Sequence, residues 1–157
     1  MEHHVDTRLI HAGEPEPRHH GAVVLPIFQT AMFETRGDEG YHDLRYIRLN
    51  NTPNHEALHK KLASIENAEA ALVTASGMAA ISTTLMALAS AGEEIVAGRT
   101  IYGGTYALLK NLLPRFGVTT RFVNVLDLAA VEAAIGSKTR VLYCETVSNP
   151  LLEVADL

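Results

Sequence analysis

Apolar and polar positions change their rhythm along this chain. Up to residue 45 no period is sustained. The stretches "GEPEPRHHG" and "TRGDEG" are dense in Gly, Pro and charge, and "AVVLPIFQTAMFE" between them is apolar but interrupted by Pro26. This part reads as an extended arm whose apolar side chains pack on another surface, such as a second subunit. From Thr52 the order becomes regular. In "TPNHEALHKKLASIEN", Thr52 is an N-cap type, Pro53 stands at the first helical position, and Leu58, Leu62 and Ile65 recur at helical spacing. "AALVT" (70–74) reads as a short buried strand. "SGMAAISTTLMALASAG" reads as a helix with Met78, Ile81, Leu85 and Leu88 on one face, closed by Gly92. "EEIVAG" is a predicted strand, and "GTYALLKNLLPRFG" a helix bent or ended near Pro114. "TTRFVNV" is a strand, "DLAAVEAAIG" a helix capped by Asp127, and "TRVLYCE" a strand. The last stretch, "ETVSNPLLEVADL", reads as a polar turn followed by the approach to another helix, with Asp156 of N-cap type.

Strands alternating with helices imply parallel pairing through right-handed crossovers, hence an α/β fold with an open, mostly parallel sheet and flanking helices. The predicted division is an arm over residues 1–45 and an α/β domain over 46–157. Ligands of such sheets bind beyond the carboxyl ends of the strands. Here those ends are the turns "TASGM", "AGRTIYGG" and "ETVSNP".

Composition narrows the function classes. With 13 Lys and Arg against 18 Asp and Glu, the net charge is −5, so no basic stripe exists to hold nucleic-acid phosphates. Cys144 is the single cysteine, which forbids an intrachain disulfide and suits a reducing compartment. The start, "MEHHVDTRLIHAG", has no apolar segment of the kind a secretory signal needs, and no apolar run is long enough to span a bilayer. A cytoplasmic location is expected.

Four stretches carry candidate chemistry. "TASGMAAI" puts Ser76 and Gly77 between strand and helix, where free backbone N–H groups and the positive end of the helix dipole favour a phosphate. "YIRLNNTPN" places Tyr46 and Arg48 two residues apart, on one side of an extended chain. The Arg offers a bidentate fork to a phosphate and the Tyr a hydroxyl. "IYGGTYALL" sets Tyr102 at a strand's carboxyl end beside two glycines, suited to stacking on a flat ring. "ETVSNP" adds Asn149, a neutral amide able to donate to a ring oxygen. A fifth stretch, "HEALH", matches a zinc hydrolase pattern in which His55 and His59 hold the metal and Glu56 is the base. The continuation has Leu62 and Ile65 where a metzincin needs Gly and His, so this is the minor alternative.

Taken in order, "TRLIHAGEPEP", "GAVVLPIFQTAMFE", "YIRLNNTPN", "SGMAAI", "IYGGTYALL" and "ETVSNPLLEVADL" resemble the cystathionine gamma-synthase family, the pyridoxal-phosphate (PLP) enzymes of cysteine and methionine metabolism. The resemblance implies the amino-terminal part of the fold type I architecture, with an incomplete PLP-binding domain over 46–157. It implies PLP as cofactor, with Gly77 and Met78 giving backbone N–H groups to its phosphate, Tyr102 stacking on the pyridine ring and Asn149 bonding the ring's phenolic oxygen. Ser76 belongs to the same cradle. It also implies a homo-oligomer, dimer or tetramer, in which Tyr46 and Arg48 reach the phosphate held by a neighbouring subunit. The reaction class it implies is elimination or replacement at Cβ or Cγ of a sulfur-containing or O-acylated amino acid. Such enzymes hold PLP on a lysine. Lys60, Lys61, Lys110 and Lys138 here lie outside the family's lysine motif, so the chain is expected to be an amino-terminal portion, inactive alone. "ETVSNP" departs from the family's usual stretch at Thr146, Val147 and Ser148, which leaves lyase and transferase both open. A non-catalytic short paralogue, or a partner-binding piece of a split enzyme, is the alternative.

Overall fold

A computed structural model describes residues 3–35, 37 and 40–157. The chain divides into two compact units, Met1–Val73 and Thr74–Leu157.

Among its described residues the first unit contains two α-helices. Helix α1 (Val5–His11) lies within the arm expected to be extended. Its sequence has no apolar stripe to announce it. It is held at its ends instead: His4 accepts from the Asp6 N–H, Asp6 lies in the first turn, and Arg8 and His11 lie in the last. Helix α2 (Pro53–Ile65) starts at Thr52 as expected, but the Thr52 hydroxyl bonds His55 Nδ1 at 2.8 Å rather than a backbone N–H. Arg8 ties α1 to the end of α2 through the Ser64 carbonyl and, at 2.6 Å, Asn67 Oδ1. Lys61 Nζ donates back to the Ile10 carbonyl at 3.0 Å. At Gly13 the backbone is left-handed (φ +79°), and a Cβ there would stand 2.2 Å from the Ala57 carbonyl oxygen.

The stretch between the helices is fixed by side-chain amides. Asn54 exchanges two hydrogen bonds with the Phe28 backbone, at 3.2 and 2.9 Å, and Met32 pairs with Tyr46 in a single antiparallel bridge. The apolar face expected on α2 is not covered within this unit: Leu58 and Leu62 are exposed, and the buried apolar residue is Ala63. Residues 70–74 form no ladder, contrary to the predicted strand, and Leu72 is 64% exposed. An apolar run becomes a strand only beside a partner strand. Here the Val73 carbonyl is taken by the Asn50 side chain at 2.8 Å.

The second unit is built on a parallel sheet of β1 (Glu94–Gly98), β2 (Thr119–Val123) and β3 (Thr139–Tyr143), in the order β2-β1-β3. The central strand has an unbroken apolar run, as a strand covered on both faces requires, and Ile95, Val96 and Ala97 are wholly buried. Glu94 pairs with Thr119 on one side and Thr139 on the other. Helix α3 (Gly77–Leu88) puts Leu85 into the core, with Met78 and Ile81 against it. Leu88, predicted for the same face, is exposed. The helix ends there, and the extended residue Ala89 takes the buried place.

Helix α4 (Gly103–Ala107) widens into a π turn (Leu108–Leu112) and tightens into a 3-10 turn (Leu113–Phe116) that stops at Gly117, φ +77°. The distortion thus begins before Pro114, whose missing N–H prevents a return to α geometry. Helix α5 (Leu128–Ala134) is capped by Asp127, whose carboxylate accepts from the Ala130 N–H at 3.0 Å. After β3 the chain folds back on itself. Val147 bridges Val154, and the buried Ser148 hydroxyl accepts from the Glu153 N–H at 2.9 Å. At the opposite end of the sheet, Glu93 pairs with Arg140 at 2.6 Å and Glu94 with Arg121 at 3.3 Å. The Ser90 N–H and the Arg140 guanidinium hold the Glu93 carboxyl below its ordinary range.

Candidate cofactor site

The start of α3 supplies unspent donors. Ser76 is the N-cap, and its Oγ accepts from the Ala79 N–H at 3.1 Å while its carbonyl accepts from Ala80 at 3.1 Å. Thr74 Oγ1 donates to the same carbonyl at 2.9 Å and braces the turn. The N–H groups of Gly77 and Met78 find no acceptor among the described residues. A Cβ at Gly77 would meet no atom within 4 Å, so space lies open beside these donors. With a helix of 12 residues behind it, this start attracts an anion.

Tyr102 stands beside that helix start. It follows β1 at the carboxyl edge, and it is 49% exposed. A Cβ on Gly104 would lie 2.6 Å from Tyr102 Cε1 and 3.2 Å from Met78 Sδ, so the missing side chain at Gly104 is what lets the ring and Met78 share this neighbourhood. The Tyr102 N–H donates to Glu145 Oε1 at 2.9 Å. Thr105, three residues further along in α4, is wholly buried. Burial raises the Tyr143 phenol above its ordinary range, opposed by a hydrogen bond with Thr105. Asn149 is exposed in the turn after β3, with no side-chain hydrogen-bond partner among the described residues. Because β1 and β3 are parallel neighbours, the loops carrying Tyr102 and Asn149 leave the sheet at one edge.

Tyr46 and Arg48 belong to the first unit. The turn Ile47–Leu49 is 3-10, so the extended spacing expected for the two residues does not hold. They meet all the same, because the Arg48 guanidinium lies 4.3 Å over the Tyr46 ring. The "LNNTPN" stretch holds them there. Asn51 accepts from the Tyr46 N–H at 2.9 Å and donates to the Leu44 carbonyl at 2.8 Å, and Asn50 adopts the left-handed conformation. A cavity of about 390 Å³ beside the pair is lined by Met32, Phe33, Leu44, Tyr46 and Arg48 among others.

The zinc pattern does not assemble. His55 is bonded to Thr52, Glu56 pairs with Arg45 at 2.9 Å, and no three His, Cys, Asp or Glu side chains converge among the described residues. Sequence reasoning missed Glu145 as a partner of Tyr102. No local pattern links the two, because they stand 43 residues apart and meet only where the loops after β1 and β3 leave neighbouring strands.

An open parallel sheet, with unspent helix donors and a half-exposed ring where its strands end, defines an α/β protein with an open site at the carboxyl ends of its strands. The chain belongs to the family of Cys/Met metabolism PLP-dependent enzymes, whose model matches residues 6–157. It is 41% identical over its whole length to a probable cystathionine gamma-synthase of Herpetosiphon aurantiacus, of which it covers 49%. The crystal structure of cystathionine gamma-lyase from Lactobacillus plantarum, complexed with L-serine, matches 98% of the chain with a TM-score of 0.87 and 38% identity, over 39% of that protein. A putative O-acetylhomoserine (thiol)-lyase from Campylobacter jejuni, bearing a pyridoxyl-lysine monophosphate, matches with a TM-score of 0.85 and 29% identity, over 39% of its length. The fold is that of the fold type I PLP enzymes, and the chain spans half or less of the length of these relatives. No helix among the described residues is long and apolar enough to cross a membrane.

Proposed function

We propose that this chain supplies the phosphate cradle and the ring-stacking face of a PLP-dependent enzyme that eliminates or replaces groups at Cβ or Cγ of sulfur-containing or O-acylated amino acids. The observation that carries the reading is the pair of unspent N–H groups at Gly77 and Met78, with open space beside them and the Tyr102 ring alongside. The residues present fit the cofactor. The two N–H groups receive phosphate oxygens, Tyr102 covers one face of the ring, and Asn149 donates to a ring oxygen. The Ser76 hydroxyl caps the helix that aims these donors. When bound, PLP supplies an electron sink for bond cleavage at the substrate. Arg48, steadied on the Tyr46 ring, adds a permanent charge to the phosphate of a neighbouring subunit in a homo-oligomer.

Residues 1–157 by themselves do not turn over substrate. Lys60 and Lys61 lie on α2, Lys110 in the π turn, and Lys138 in the turn before β3, at the sheet edge away from Tyr102. Relatives named as synthase, lyase and thiol-lyase share this part of the chain, which supports a common cofactor-holding role and leaves lyase and transferase both open.

The test uses Gly77→Pro. Proline suits the first helical position, Ser76 already has the extended backbone that a following proline demands, and the only group lost is one N–H. Titration of pyridoxal 5′-phosphate, followed by tyrosine fluorescence, should show binding that inorganic phosphate competes. The variant should bind about tenfold more weakly, as loss of a charge-assisted hydrogen bond predicts. Equal affinity in both proteins, with helix content unchanged, would overturn the cradle.

A further inference from the structure

Two loops must touch one flat ring in the proposed site, and one side chain joins them. The loop after β1 carries Tyr102, and the loop after β3 carries Asn149. Glu145 sits in the second loop, four positions before Asn149, and its Oε1 accepts the Tyr102 N–H at 2.9 Å across 43 residues of sequence. The bond falls at the N-cap of α4, where a backbone N–H has no helical carbonyl to receive it. The next constraint on Tyr102 is the void at Gly104, which leaves the ring room but does not hold it. Glu145 is therefore the polar anchor that sets where the ring begins.

We propose that Glu145 is a positioning residue for Tyr102, fixing the stacking ring relative to the Asn149 loop. This rests on the cofactor reading above. A carboxylate is suited to the task because its charge strengthens the bond from an N–H at a helix start. It does not touch the phosphate donors, which lie on α3. Loss of the anchor should thus weaken recognition of the ring and spare recognition of the phosphate.

The test compares Glu145→Ala with Glu145→Gln, which keeps an acceptor oxygen, in the protein labelled with [15N]tyrosine. The chain has five tyrosines, and Tyr102→Phe identifies the Tyr102 signal by its disappearance. In Glu145→Ala the Tyr102 amide should exchange with solvent about tenfold faster, while Glu145→Gln stays within about threefold of the parent. Affinity for pyridoxal 5′-phosphate should fall about tenfold in the alanine variant, with affinity for inorganic phosphate unchanged and pyridoxal 5′-phosphate binding restored in the glutamine variant. Unchanged Tyr102 exchange in the alanine variant would overturn the anchor. An equal loss of affinity for both ligands would also overturn it, since that marks general unfolding of the site. If the parent protein binds no pyridoxal 5′-phosphate, the cofactor reading falls and the ring-positioning role with it. A Tyr102 exchange rate that still follows Glu145 would identify that case.

Discussion

Ile95, Val96 and Leu109 are wholly buried in the second unit, gathered by three parallel strands and the helices beside them. Among the described residues of the first unit the buried apolar one is Ala63, while Val23, Val24, Ile27 and Met32 are each at least 70% exposed. The second unit is held by area removed from water. The first is held by named polar contacts: Arg8 and Lys61 between the helices, and Asn50, Asn51 and Asn54 onto the backbone. Burying one large side chain is worth about 2–3 kcal/mol, whereas a typical hydrogen bond nets about 1 kcal/mol. Residues 1–73 therefore depend more heavily on each individual contact, and their exposed apolar arm offers area that a covering surface could remove from water.

Three substitutions bear on that contrast. Leu109→Ala should have the largest effect. It removes three side-chain carbons from a fully buried position and should cost about 4 kcal/mol in denaturant unfolding. A loss below about 1 kcal/mol would mean that the second unit has no close-packed core. Gly13→Ala should cost about 3 kcal/mol, because an alanine there needs a left-handed backbone and meets the Ala57 carbonyl. Amide exchange should quicken in α1 and α2 and stay slow in β1. Equal quickening in β1 would show that the two units open together.

The smallest effect is expected of Glu93→Gln, a fall in melting temperature of roughly one degree at neutral pH. The Glu93 carboxyl is held below its ordinary value of 4.5 in the folded chain. Its contribution is therefore present above that value and lost as pH falls through the lower, folded one. Melting curves of parent and variant should converge on acidification. Curves that stay apart in acid would remove the ion pair from the account.

The contrast also explains what the sequence disclosed. Strand β1 was legible because its short apolar run is unbroken, and strands β2 and β3 and helices α3 and α5 because their burial follows the period of the element. The helix start at Ser76, Gly77 and Met78 was legible because caps are local. The short helix α1 has no apolar stripe, and residues 70–74 have the composition of a strand without a neighbour, so neither could be read correctly. Tyr46 and Arg48 do come together, through ring stacking in a 3-10 turn rather than through an extended backbone. The bond from Tyr102 to Glu145 spans 43 residues and leaves no local pattern.

The two ion pairs at the amino edge of the sheet also bear on how the strands find one another. Adjacent acids, Glu93 and Glu94, reach to opposite flanks, one to Arg140 on β3 and the other to Arg121 on β2. A slip of one residue between parallel strands is rejected by the apolar pattern, because it turns every side chain to the wrong face. A slip of two residues keeps the faces and passes that test, but it parts an acid from its arginine. These surface charges, slight in their worth to the finished fold, thus act as addresses: they discriminate against a misalignment that hydrophobic patterning cannot see.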